Sequence, residues 1–265
     1  MIFISSLQNP RVKNLVKLRD SKHRRATQTF LVEGIREITR ALQSGFLPIE
    51  IWFCSESFSK SSEELLEKSR KEILVEVSKP VFDKIAVREN KDGIVAVFPV
   101  KSRSLTEIAA SSRGLLLAVQ GVEKPGNLGA MLRTADALGV NGVILLDQKS
   151  DLWNPIAIRS SLGSIFRIPI YESNSTEFKS ISQDLGYSIY AAHLSNSSKN
   201  ISEVKFNEKS IILVGTEDEG LSEYWSSNSD TLVIIPMAGI ADSLNVSVAA
   251  SILLYEAKRQ MDCLR

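Results

Sequence analysis

Between residues 115 and 260, short runs rich in valine, isoleucine and leucine alternate with stretches whose apolar positions recur every three or four residues. The runs predict strands over 115–119, 143–146, 168–171, 187–191, 211–214 and 232–235. The spaced positions predict helices over 127–138, 155–162, 176–185 and 244–260. Alternation of this kind implies a mainly parallel sheet with helices on both faces.

The earlier part of the chain reads as a smaller α/β pattern. Over 9–19, Val12, Leu15, Val16 and Leu18 form one face of a short helix and leave Arg11, Lys13, Lys17 and Arg19 on the other. A second helix is expected over 33–43, ending at Gly45, then a strand over 49–53, a helix over 63–70 and strands over 73–77 and 94–98. The polar stretch Lys101-Ser-Arg-Ser104 marks the boundary, giving domains of 1–104 and 105–265. A chain of 265 residues suits two domains, and 43% hydrophobic with 24% charged residues excludes disorder and coiled coil.

The whole chain carries 32 basic against 31 acidic side chains, which argues against a strongly nucleic-acid-seeking protein. That average conceals an asymmetry. Residues 1–36 hold eight basic side chains against only Asp20 and Glu33, a head of +6 on a body of −5. The head is either a solvated basic surface or a set of phosphate contacts that hold a nucleic acid without reading its bases. Cys54 and Cys263 are too few and too far apart for a disulfide framework or a C-x-x-C site, so no metal is expected and a reducing cytoplasm fits. The apolar stretch 232–241 contains Pro236 and Gly239 and is half the ~20 residues that span a bilayer, so no membrane partner is expected. The first residues lack the pattern of a secretory signal.

Three stretches concentrate polar residues where predicted strands end. The first, Gly121-Val-Glu-Lys-Pro-Gly-Asn-Leu-Gly-Ala-Met-Leu-Arg-Thr134, runs from a strand into a helix. Leu128, Met131, Leu132, Ala135 and Leu138 form its buried stripe, and Asn127 is well placed as an N-cap. This is either a capped helix with a solvated Arg133 or a ligand site at the carboxyl edge of a parallel sheet. The glycine spacing of a phosphate loop is present, but Asn127 stands where that loop needs a lysine. The second, Gly215-Thr-Glu-Asp-Glu-Gly-Leu221, carries Glu217, Asp218 and Glu219 and reads as a solvated turn or as the border of a site for an uncharged or cationic group. The third, 235–250, places Ser243 and Asn245 at the start of the last helix. One of them could cap it; two polar side chains in so apolar a segment exceed what capping needs. No GxGxxG fingerprint occurs, which disfavours a nucleotide-dependent oxidoreductase.

Together the three stretches resemble the motifs of the SpoU (TrmH) family of RNA 2′-O-ribose methyltransferases in the SPOUT superfamily: Asn127-x-Gly129-x-x-x-Arg133, Gly215-x-Glu217-x-x-Gly220, and Ile235-Pro-Met-x-Gly239 with Ser243-Leu-Asn245-Val-Ser247. The segment Ile158-Arg-Ser-Ser-Leu-Gly163 looks like the one between the family's first two motifs. Ser6-Leu-Gln-Asn-Pro-Arg-Val-Lys13 and Phe30-Leu-Val-Glu-Gly34 are similar to the N-terminal substrate-binding domain of many members. The family commonly has an acidic residue where Lys124 stands.

The resemblance implies a small α/β substrate-binding domain followed by a mainly parallel domain with a trefoil knot, and a homodimer formed through the latter. It implies S-adenosyl-L-methionine as cofactor, contacted by Leu194, Gly215, Ile235 and Leu244, and a catalytic cluster of Asn127, Arg133, Glu217, Ser243 and Asn245. The substrate would be ribosomal RNA, with Arg11, Lys13, Lys17, Arg24 and Arg25 as phosphate contacts. The alternatives are a transfer-RNA 2′-O-methyltransferase and a non-catalytic RNA-binding assembly factor.

Overall fold

The computed structural model describes residues 2–57, 59–87, 92–108, 113–216 and 218–263, and the chain divides into two compact units. The first comprises Met1–Lys101 with Asp151–Arg167; the second comprises Ser102–Ser150 with Ile168–Arg265. In chain order the elements up to residue 101 are β1 (Ile2–Ile4), α1 (Pro10–Lys17), α2 (Ser21–Thr27), β2 (Thr29–Glu33), α3 (Ile35–Gln43), β3 (Glu50–Phe53), α4 (Lys60–Glu67), β4 (Leu74–Val77), α5 (Lys79–Ile85) and β5 (Ile94–Pro99). There follow β6 (Gly114–Gln120), α6 (Pro125–Ala137), β7 (Gly142–Leu146), α7 (Pro155–Ser160), α8 (Ser164–Arg167), β8 (Ile170–Ser173), α9 (Ser175–Asp184) and β9 (Ser188–Ala192). The last are β10 (Lys199–Asn200), β11 (Lys209–Val214), α10 (Glu223–Asn228), β12 (Thr231–Ile234) and α11 (Val246–Cys263).

The first unit is built on a five-stranded sheet in the order β1-β4-β3-β5-β2, parallel from β1 to β3 and antiparallel on either side of β5. Because successive strand residues face opposite ways, Leu31, Trp52, Val75 and Val95 meet the apolar stripes of α1 and α5 on one face. Phe30 and Phe98 face the other way and join Phe46, Trp153 and Phe166 in an aromatic box, with Phe30 and Trp153 stacked 4.1 Å apart. Each such pair adds about 0.5–1.5 kcal/mol beyond its area burial. Asp151–Arg167 therefore supplies two core aromatics to the first unit, although its sequence neighbours lie in the second. The helix expected over 155–162 breaks into two because Leu162 and Gly163 adopt left-handed backbone, with φ 53° and 87°.

The second unit carries a seven-stranded sheet, parallel throughout, in the order β10-β12-β9-β11-β6-β7-β8. Strands β6, β7 and β11 are buried along nearly their whole length, which is why their sequences are apolar at almost every position. The chain steps outward from β6 to β8, reaches β9, inserts β11 between β9 and β6, and places β12 beyond β9. Helix α11 then packs against α6, β11 and β6.

Candidate functional site

Parallel strands β12, β9, β11 and β6 are adjacent and end at one edge, so the loops that follow them converge there. The turn after β11 is compact. A Cβ at Gly215 would lie 2.1 Å from the Gly220 carbonyl oxygen, so only glycine lets the turn fold back. The Thr216 N–H donates to that carbonyl at 2.9 Å.

The loops after β9, β11 and β12 line a cavity of about 410 Å³, within the usual range for small-molecule sites. Its walls include all four residues expected to contact a cofactor: Leu194 after β9, Gly215 after β11, and Ile235 and Leu244 after β12. Ser243 lines it as well. The acidic side chains in its lining are Asp218, Glu219 and Asp242, with no lysine or arginine beside them among the described residues, so the cavity is electrostatically suited to a ligand that is neutral or cationic. Glu217 lies outside the described residues, between Thr216 and Asp218 of that lining. His193 also lines the cavity, and its buried Nδ1 has no hydrogen-bond partner among the described residues. A lone histidine at the end of an apolar run carried no motif by which to find it.

The remaining polar residues form a seam between α6 and α11. Asn127 is not the N-cap of α6: Lys124 occupies that position with Pro125 at the first helical position, and Asn127 sits within the first turn. Its Oδ1 instead accepts from Asn245 Nδ2 at 3.2 Å. Asn245 is the residue that caps α11, its Oδ1 accepting from the Ser247 N–H at 3.0 Å and from the Ser247 hydroxyl at 2.6 Å. Further along, Thr134 and Ser251 hydroxyls meet at 2.9 Å. Arg133, beside Thr134, is exposed and has no hydrogen bond or ion pair among the described residues, which leaves its guanidinium available to a ligand. The structure thus joins Asn127 to Asn245 directly and puts Ser243 on the cavity.

The basic head divides into engaged and exposed cations. Lys13, Lys17 and Arg25 are exposed. Arg11 pairs with Glu50 at 2.8 Å and lies over the Trp52 ring. Arg24 is a correction to the expected set: it is 2% exposed, ion-paired with Asp151 at 2.6 Å, and donates to the Leu18 carbonyl at 2.6 Å. Its charge is spent inside the first unit and is not presented to a phosphate.

A second cavity, of about 680 Å³, lies along α11 and is lined by Ala130, Val248, Ile252 and Tyr255 among others. Val248, Ile252 and Tyr255 recur at helical spacing and are 46%, 37% and 60% exposed, an apolar stripe on the outer side of a helix whose other face is buried at Ala250, Leu253, Leu254 and Ala257. No helix among the described residues is long and apolar enough to cross a membrane.

Residues 114–255 match the model of the SpoU rRNA Methylase family, and residues 9–96 match the MRM3-like substrate binding domain. The chain is 33% identical over 255 residues to the 23S rRNA (guanosine(2553)-2′-O)-methyltransferase RlmP of Bacillus subtilis, covering 96% of this chain and 98% of that protein. It is 31% identical over 238 residues to the 23S rRNA (uridine(2479)-2′-O)-methyltransferase of Streptomyces viridochromogenes, covering 87% and 83%. Among solved structures, the AdoMet-bound rRNA methyltransferase from Sinorhizobium meliloti superposes with a TM-score of 0.90 at 31% identity, covering 98% of each chain.

Proposed function

Because the chain belongs to the SpoU rRNA methylase family, with the knotted, mainly parallel α/β fold of SPOUT methyltransferases, we propose that it moves a methyl group from S-adenosylmethionine to a ribose 2′-OH of ribosomal RNA. The observation that carries this reading is the meeting of the second and third motifs at one sheet edge, around a cavity whose charged lining is acidic, with the first motif joined to the third by the hydrogen bond from Asn245 to Asn127. That cavity fits the cofactor. Its apolar walls suit an adenosyl group, its strand ends offer backbone groups for polar contacts, and its acidic side chains suit a sulfonium.

When bound, S-adenosylmethionine supplies a methyl group on a positively charged sulfur, ready for in-line displacement. Leu194, Gly215, Ile235 and Leu244 hold it by its apolar and backbone-facing parts. Arg133 is exposed and unpaired among the described residues, so it can bind a phosphate beside the target ribose and stabilise the alkoxide that develops as the 2′-OH gives up its proton to solvent water. A guanidinium with a pKa above about 12 is a poor base, so Arg133 acts by charge and position. Asn127, Asn245 and Ser243 supply neutral hydrogen-bonding groups, the first two joined to each other and the third on the cavity. Bringing two bound reactants into line is itself a large part of catalysis.

The first unit, which takes in Asp151–Arg167 beside most of the expected 1–104 segment, holds the RNA, and the second carries the cofactor and chemistry. The exposed apolar stripe of α11 supports a homodimer through the second of these, a second copy covering Val248, Ile252 and Tyr255. Ribosomal RNA as substrate would place the protein in the cytoplasm. The test is incubation with labelled S-adenosylmethionine and purified ribosomal or transfer RNA: label should enter ribosomal RNA, and label confined to transfer RNA, or none at all, would defeat the reading.

A further inference from the structure

The side chain of Gln120, the last residue of β6, holds three partners at once. Its Nε2 donates to Asp147 Oδ2 at 3.0 Å and to Ser175 Oγ at 3.1 Å, and its Oε1 accepts from the Ser222 backbone N–H at 3.1 Å. Both donors and the acceptor of the amide are therefore engaged. Asp147, just beyond β7, also accepts from the Ser175 hydroxyl and from the Ser175 N–H. Burial opposes its charge, but the hydrogen bonds from Ser175 and Gln120 outweigh that and hold its carboxyl below the usual range. It is a charged anchor, and Gln120 connects it to the residue after Leu221, a wall of the cofactor cavity. On the near side of the same turn, a Cβ at Gly121 would approach Thr216 Cγ2 to 3.2 Å. The turn is thus hydrogen-bonded to the end of β6 at Ser222 and passes close to Gly121 at Thr216.

We infer that Gln120 is a positioning residue for S-adenosylmethionine: by holding the Ser222 N–H against the Asp147 anchor, it sets the turn after β11 in the shape that walls the cofactor cavity. This rests on the methyltransferase reading above. Gln120, Asp147 and Ser175 are not among the residues that line the cavity, so the effect passes through the turn.

The test is calorimetry of S-adenosylmethionine binding together with steady-state methyl transfer on the full chain. Gln120→Ala should raise the cofactor Kd by about tenfold, the loss of one well-placed hydrogen bond, while KM for RNA and kcat at saturating cofactor stay within about threefold. Gln120→Glu keeps an acceptor for Ser222 but sets a second carboxylate against Asp147, and should weaken binding at least as much. Adding Asp147→Asn exchanges donor and acceptor between the two positions, and asparagine tolerates the left-handed backbone at 147, φ 49°. The double variant should return to within about threefold of the wild-type Kd. Wild-type-like affinity in Gln120→Ala, or a double variant no better than Gln120→Glu, overturns the inference. If Gln120→Ala does not fold, the exchanged pair decides alone. A wild-type protein that fails to bind the cofactor defeats the functional reading, and this inference with it.

Discussion

Replacing Asp151 with Ala would leave the Arg24 guanidinium, 2% exposed, without its carboxylate partner. An uncompensated buried charge costs about 3–5 kcal/mol, so Asp151→Ala should shift the urea midpoint of unfolding sharply downward, whereas Lys13→Ala should leave it within about 0.5 kcal/mol of wild type. Arg133 predicts the opposite separation. Arg133→Ala should lower methyl transfer by about 10²–10³-fold, as loss of a charge-stabilising donor does, without moving stability or cofactor affinity, because the side chain is exposed and does not line the cavity. The two arginines also show what was legible at this scale. Arg133 stood out in the sequence through the resemblance of Asn127-x-Gly129-x-x-x-Arg133 to a family motif, since its helical position alone also suits a solvated side chain. Arg24 looked like one more cation, because its partner is 127 residues away and nothing local announces it.

Elements were legible where burial leaves a pattern. Strands β6, β7 and β11 and helices α6 and α11 show it, since a strand covered on both faces must be apolar throughout. Short elements held by tertiary contacts did not. Helix α2, Ser-Lys-His-Arg-Arg-Ala-Thr, has no apolar stripe; it is held by the Asp20 cap and by Arg24. Helix α10 has six residues and is anchored by the fully buried Trp225. Asn127 was expected to cap α6, but the proline at 125 starts the helix earlier, so Asn127 lies in the first turn and its side chain meets Asn245 instead. Asn245→Ala should therefore cost about 1 kcal/mol of stability as a lost cap and reduce methyl transfer as well. Helix α11 also contains a pH-sensitive contact. The Arg259 guanidinium, aided by Gln260, holds the Glu256 carboxyl at about 2 rather than its ordinary 4.5, despite some burial. A carboxyl depressed in the folded state stabilises above its unfolded value and loses that contribution as pH falls from about 4.5 through about 2. Wild type should exceed Glu256→Gln in stability at pH 7, with the gap shrinking as pH falls below about 4.5 toward about 2 in urea titrations.

Across the whole molecule, net charge concealed a division between a basic head and an acidic-lined cavity. Charge reversal at Lys13, Lys17 and Arg25 should weaken RNA binding, and each lost phosphate contact should flatten the slope of log affinity against log salt by about 0.7–0.9. The fold class followed from alternation, but the order of strands did not: only the completed sheet puts β11 between β9 and β6 and so gathers loops that lie far apart in sequence. The attachment of Asp151–Arg167 to the first unit was equally hidden, since its aromatics find partners only in three dimensions. Sedimentation at micromolar concentration should show a dimer that Tyr255→Glu disrupts, because that charge would enter the exposed stripe of α11. The central claim, that the gathered loops carry out methyl transfer to a ribose hydroxyl of ribosomal RNA, is tested most directly by nuclease digestion and mass spectrometry of that RNA after reaction with wild type and with Arg133→Ala. Wild type should form one new 2′-O-methylated nucleoside that is nearly absent with the variant. A methyl group found on a base, or equal product from both proteins, would contradict it.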